Sequence, residues 1–310
     1  MKYLLLTILL FILSFSAFSE FSHSYIKQHP LKRVAVNAIE IAYRKIGDED
    51  SSKVLLIMGL GASNTVHGDS IVRGLENSGY QILVFDNRDT GGSTRFDDWG
   101  QPTIWFQLLK HSLRLPVNAP YSLDDMAADT AALMDATNFD KAHVVGFSMG
   151  GMIAQKLAAQ YPEKVSSLTS IMSTTFARHL PPPTKAARNA LTNFASGKVA
   201  KERSKVMLDR GFYPDSMPRQ MMAIYRSGDR SSEVKSIKVD TLVIHGKDDE
   251  LVLPSHGEHT ASLIENSKFI VFDGMGHNIP GPVLPKLIAA MTEHMGSVDK
   301  ANAIGFSKSR

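Results

Sequence analysis

A tight turn between an apolar strand and a helix constrains this chain more than any other feature. Gly146-Phe147-Ser148-Met149-Gly150 follows the apolar run Ala142 to Val145 and precedes an apolar helical pattern from Met152 to Ala159. Gly-x-Ser-x-Gly in the order strand, turn, helix is a nucleophile elbow, which holds its serine in a strained backbone conformation at the tip. The flanking glycines are needed because a Cβ at Gly146 or Gly150 would strike the adjoining helix or strand. The Ser148 hydroxyl then stands at a helix start, where backbone N–H groups and the helix dipole favour negative charge.

The pattern around the elbow sets the fold class. Val54 to Met58, Ile82 to Phe85, 142–146, Leu168 to Met172, Thr241 to His245 and Phe269 to Phe272 read as strands. Leu31 to Val36 and Ile39 to Tyr43 read as a short antiparallel pair. Helices are expected over Val66 to Ser78, stopping at Gly79, and from the capping-box-like Ser122-Leu123-Asp124-Asp125 to about Thr137. Two more are expected over 150–160 and over Pro282 to Met295. Alternating strands and helices, with most strands continuously apolar, indicate an α/β fold with a mostly parallel central sheet covered by helices on both faces.

Residues 176–236 break the alternation. They open with Leu180-Pro181-Pro182-Pro183 and continue with helix-prone segments without a convincing strand. The expected organisation is a core of 31–175 and 237–296, with 176–236 inserted as a helical cap over the C-terminal edge of the sheet. Met207, Met217, Met221 and Met222 either line an adaptable pocket there or pack the cap's own core. Phe96 to Tyr121, with Trp99, Trp105 and Phe106, reads as a smaller, irregular insertion beside the same opening.

Composition narrows the classes further. The 310 residues carry a formal net charge of +3, with 43% hydrophobic and 21% charged residues, as a globular protein with a substantial core requires. The basic residues of Lys198 to Arg203 are interrupted, so no stretch is dense enough for a nucleic-acid partner. Residues 1–19 read as a secretory signal: Lys2 starts it, Tyr3 to Phe15 is almost wholly apolar, and Ala17-Phe18-Ser19 suits cleavage. The protein is then exported, periplasmic or secreted, and no stable membrane partner is expected after cleavage. An uncleaved membrane anchor is the alternative. The chain has no cysteine, which excludes disulfides and a thiol nucleophile. No metal-ligand spacing is present, and Gly59-x-Gly61 continues into no dinucleotide fingerprint, so neither metal nor cofactor is expected.

A serine nucleophile needs a base, and the base needs an orienting acid. Downstream of Ser148, His245-Gly246-Lys247-Asp248-Asp249-Glu250-Leu251-Val252 directly follows a strand. So does Asp273-Gly274-Met275-Gly276-His277. The order serine, aspartate, histidine is that of α/β-hydrolases. On these three motifs, and on the turn Asp86-Asn87-Arg88-Asp89-Thr90-Gly91-Gly92-Ser93, residues 31–296 resemble α/β-hydrolase-fold serine hydrolases. That turn and Gly59-Leu60-Gly61 make the chain most similar to the aclacinomycin methylesterase-like esterases.

The resemblance implies a role for each matching residue. Ser148 is the nucleophile, His277 the general base and acid, and Asp249 the residue that orients the imidazole. Asp248 is the rival acid, and Asp273 is read as a turn residue. His143 and His245, at strand ends, are read as packed or solvated. The backbone N–H groups of Met149 and Leu60 are the expected oxyanion hole. The Asp86–Ser93 turn is read as structural, with Asp86 and Arg88 bonding locally. The implied activity is hydrolysis of a small-molecule carboxylic ester through an acyl-enzyme. The same residues also suit hydrolysis of a carbon–carbon bond, lactone opening or perhydrolysis, and a non-catalytic binding protein on this scaffold is the reading from another class.

Overall fold

The computed structural model describes residues 24–66, 68–189 and 201–308. The expected leader over 1–19 lies outside the described residues. Eight strands form one sheet: β1 Lys32–Val36, β2 Ile39–Ile46, β3 Ser52–Ile57, β4 Tyr80–Phe85, β5 Ala142–Phe147, β6 Val165–Ile171, β7 Thr241–Gly246 and β8 Ser267–Phe272. Their order across the sheet is β1-β2-β4-β3-β5-β6-β7-β8. β1 pairs antiparallel with β2, and β2 antiparallel with β4. Every later neighbour pair, from β4–β3 to β7–β8, is parallel.

Ten helices complete the described elements: α1 Ser24–Gln28, α2 Gly68–Asn77, α3 Ile104–Ser112, α4 Leu123–Ala136, α5 Met149–Gln160, α6 Lys201–Asp209, α7 Met217–Ser227, α8 Ser231–Lys235, α9 Pro254–Leu263 and α10 Leu284–Lys308. Strand alternation divides the core between the two faces. Leu55 and Ile57 of β3 pack with Leu133 of α4 and Ile153 of α5. Val54 and Leu56 pack on the other side with Leu75 of α2 and Leu287 and Met291 of α10. Both faces being covered, β4 and β5 are buried throughout, which is why they read as unbroken apolar runs.

α1 and α9 have no counterpart among the expected helices, and two further elements differ from their expected form. α10 runs on past Met295 to Lys308, because Met295 and Val298 stay buried and Asp299 reaches back to His143 (3.0 Å) and Ser52 (3.1 Å). The stretch Phe96–Tyr121 is not irregular throughout. It holds a 3₁₀ turn, Asp97–Trp99, and α3, which lacks glycine and proline and sits between Pro102 and Pro116.

Between β6 and β7 the described residues form a helical stretch over 185–189 and then α6, α7 and α8, while 190–200 lie outside them. Met221 and Met222 of α7 are buried with Val117 and Ala119, against Leu60. Met217 packs on Gly61, whose added Cβ would come within 2.6 Å of its Cγ. Met207 is only half-buried. α7 therefore lies against the loop that follows β3. The chain turns after β3, β5, β7 and β8 all fall at the C-terminal ends of parallel strands, so they share one rim of the sheet.

Candidate active site

The elbow is built by close approach. A Cβ on Gly150 would lie 2.1 Å from the Ile57 carbonyl oxygen, and one on Gly146 would lie 2.3 Å from that of Gly150. Only with hydrogen at both positions can α5 start this near the ends of β3 and β5. The turn forces Ser148 to φ 55° and ψ −118°, a strained conformation for a residue with a side chain. Its own backbone resists relaxation. The Ser148 N–H donates to Ile171 O (2.9 Å), and its carbonyl accepts from Ser173 Oγ (2.8 Å).

His277 and Asp249 reach this serine from the two later loops. His277 Nε2 lies 2.9 Å from Ser148 Oγ, and His277 Nδ1 lies 2.7 Å from Asp249 Oδ2. An ionised carboxylate only accepts, so Nδ1 carries the proton and Nε2 presents its lone pair to the serine hydroxyl. The other oxygen of Asp249, Oδ1, accepts the N–H groups of Leu251 and Val252, each at 2.9 Å. The two loops are stitched together as well: Lys247 N–H donates to Phe272 O (3.0 Å) and Asp248 N–H to Met275 O (2.9 Å).

Asp249 is buried, and burial opposes its ionisation. The neighbouring His277 charge, hydrogen bonds from His245 and His277, and the Val252 N–H outweigh that and hold its pKa well below the usual carboxylate range. Asp248 points elsewhere. It is exposed, and its Oδ2 accepts from Gly274 N–H (3.1 Å). Asp273 is exposed on the turn and pairs with Lys247 (2.7 Å).

The loop after β3 runs beside the serine. A Cβ on Gly59 would stand 3.3 Å from that of Ser148. Among the described residues no acceptor takes the N–H of Leu60 or of Met149. Met149 opens α5, so its N–H belongs to the unpaired first turn. The loop itself is held from α7 and the chain before it. Gly61 N–H donates to Gln220 Oε1 (2.7 Å), Tyr213 N–H donates to Gly61 O (2.7 Å), and Ser63 N–H donates to Gly211 O (2.9 Å).

Two neighbours of the site go beyond the motifs. His245 is fully buried rather than solvated, with Nε2 2.7 Å from Val252 O and 3.4 Å from Asp249 Oδ2. A carbonyl only accepts, so His245 carries its proton on Nε2 and braces the loop that holds Asp249. Its spacing four residues before Asp249 was the available signal. Gln220 has none, since its partner Gly61 is 159 residues away. The Asp86–Ser93 turn also differs from the local bonding expected. Arg88 pairs bidentately with Asp129 of α4 (2.6 and 2.8 Å), and Asp89 pairs with the buried Arg219 of α7 (2.6 and 2.8 Å). Asp86 does bond locally, to Gly92 N–H (2.8 Å), but also to Asn64. Among the described residues no group of three or more His, Asp or Glu side chains could hold a metal ion.

The comparisons agree with this architecture. Rhodomycin D methylesterase DauP of Streptomyces sp. (strain C5) is 25% identical, over 86% of this chain and 98% of that protein. The putative carbamate hydrolase RutD of Pseudomonas syringae pv. syringae (strain B728a) is 25% identical, over 76% of this chain and 90% of that protein. The enol-lactonase from Burkholderia xenovorans LB400 has the same fold, with a TM-score of 0.65 at 20% identity, covering 86% of this chain and all of that one (100%). The model of the alpha/beta hydrolase fold matches residues 53–222, more than half of the sequence. By that match and by its strand order, the chain belongs to the α/β-hydrolase fold family.

Proposed function

We propose that this hydrolase is an exported serine esterase that cleaves a small carboxylic ester through an acyl-enzyme on Ser148. The observation that carries the reading is His277, bridging the serine hydroxyl at 2.9 Å and the Asp249 carboxylate at 2.7 Å. Ser148 Oγ attacks the ester carbonyl as His277 Nε2 takes its proton. The oxyanion accepts hydrogen bonds from the Leu60 and Met149 N–H groups, each worth about 3 kcal/mol in such a transition state. As the C–O bond breaks, His277 returns the proton to the departing alcohol. Water, deprotonated by His277, then releases the acid and restores Ser148. Asp249 stays ionised throughout and stabilises the imidazolium.

The similarity to a protein named as a methylesterase favours an ester over other carbonyl substrates. The insertion between β6 and β7 is assigned the covering of the substrate, because α7 packs against the loop beside Ser148. Residues 1–19 are assigned to export. The test is turnover of a short-chain p-nitrophenyl ester by purified protein. Ser148→Ala is expected to lower kcat by about 10⁴-fold or more with the fold intact. Full turnover in that variant would refute the assignment.

A further inference from the structure

α3 is a surface helix turned inside out. Its inward positions are Ile104, Gln107 and His111, spaced as one helical face. Gln107 is the residue buried there, and its Oε1 accepts the Asn118 N–H (2.9 Å). His111 stacks edge-on against Tyr225 of α7, with ring centroids 4.9 Å apart. A polar side chain is thus inside beside Ile104, and the other large apolar ones are outside. Trp105 is 70% exposed and Leu113 61%, and Trp99, Phe106, Leu109 and Leu115 are exposed beside them. Exposed single apolar residues are ordinary, but seven within one short stretch, Leu108 being the seventh, are not. The inner contacts with α7 and with the chain after α3 hold the element in place.

Along α3 itself the charge has one sign. Between Asp98 and Asp124 the sequence contains Lys110 and Arg114 and no carboxylate. Asp97, just before the stretch, is paired with Arg95 (3.1 Å) and Arg219 (2.7 Å). Exposed Trp, Phe and Leu side chains flanked by Lys and Arg are the chemistry of a surface that sits at the headgroup level of a bilayer. Lys110 and Arg114, on and just after the helix, favour the anionic kind.

We propose that the face formed by Trp99, α3 and Leu113–Leu115 docks reversibly on an anionic lipid bilayer. Docking is peripheral: among the described residues no helix is long and apolar enough to cross a membrane. It is also independent of the hydrolytic assignment, since none of these side chains touches Ser148, His277 or Asp249.

The chain supplies its own reporter. Its two tryptophans, Trp99 and Trp105, both lie in the patch, and residues 1–23 contain none. Tryptophan emission, excited selectively over tyrosine, therefore reports on this face. The full chain is titrated with unilamellar vesicles of phosphatidylcholine, and with vesicles of phosphatidylcholine and phosphatidylglycerol at three to one. The expected result is a blue shift of the emission, with apparent affinity about tenfold higher for the anionic vesicles. Leu109→Ser with Leu113→Ser keeps both reporters and is expected to weaken binding by more than about tenfold. Lys110→Gln with Arg114→Gln is expected to remove the preference for anionic lipid. Both variants should unfold in urea in one transition close to the parent's, which shows that they fold. Absence of a shift with either vesicle overturns the proposal. So does a dimer, seen by light scattering, that the Leu109→Ser, Leu113→Ser variant dissolves while vesicles bind neither protein; the face would then belong to a second copy of the chain.

Discussion

Asp249 is the residue on which the site's electrostatics turn. One of its oxygens accepts two backbone N–H groups and the other accepts from His277 Nδ1, and these hydrogen bonds favour the ionised form against the burial that opposes it. Asparagine in its place keeps an acceptor for the loop but directs an N–H₂ group at one of these donors. It also allows the imidazole to take the wrong tautomer. Asp249→Asn is therefore expected to lower kcat by about 10⁴-fold, with a smaller change in KM. The same carboxylate has a signature in stability. Its folded pKa is depressed, so its contribution is complete above the unfolded value of about 3.9 and is lost as pH falls toward the folded value. Urea unfolding of the parent and of Asp249→Asn should show the parent more stable at pH 7 and the gap narrowing at pH 3. A gap that widens on acidification would mean that the carboxylate is not held ionised by its neighbours.

At the scale of the element, the loop Gly59–Ser63 is clamped by α7 and the segment before it. The buried Gln220 accepts the Gly61 N–H (2.7 Å) and donates Nε2 to Arg88 O (3.1 Å), joining the loop after β3 to the turn after β4. Its amide fixes the Gly61 peptide and, through it, the direction of the preceding Leu60 N–H. Gln220→Leu leaves a donor and an acceptor buried without partners, at about 1–3 kcal/mol each. It is expected to reduce kcat by about tenfold to a hundredfold while KM changes little, because a misdirected hole donor is felt mainly in the transition state. The two parameters measured on one soluble ester, below the variant's unfolding temperature, check this; an unchanged kcat would show that Leu60 is held without Gln220. The elbow and the histidine loop are legible in sequence because each is a contiguous motif whose turn chemistry is local. Gln220 is illegible because its role exists only once two segments 159 residues apart have met. α3 escapes for another reason: its apolar residues face outward, so they break the pattern by which a surface helix is recognised.

For the whole molecule, the mostly parallel sheet and its two covered faces can be read from runs of apolar residues, since burial on two sides leaves a continuous signal. How the insertion is fastened to that core cannot be read so, because the fastening is ionic and long-range. Arg219 of α7, 1% exposed, forms two bonds to Asp89, which is itself fully buried. Asp89 also accepts from Tyr121 Oη (2.8 Å) and the Phe96 N–H (3.1 Å), while Arg219 reaches Asp97 (2.7 Å) and Gly100 O (3.3 Å). One ion pair thus ties together α7, the turn after β4 and the chain leading to α3. Such a pair adds little net stability when replaced whole by well-packed apolar groups, but losing one partner strands a buried charge. Arg219→Met should therefore cost about 3–5 kcal/mol in urea unfolding. Pairing it with Asp89→Asn should recover part of that loss. Asparagine tolerates the positive φ of 72° at this position and still accepts from Tyr121 or Phe96, and no unpaired charge remains. If the double variant were as unstable as the sum of the two single ones, Arg219 and Asp89 would be acting separately, and the insertion would be held by the apolar contacts of its Met221 and Met222 with Leu60, Val117 and Ala119 instead.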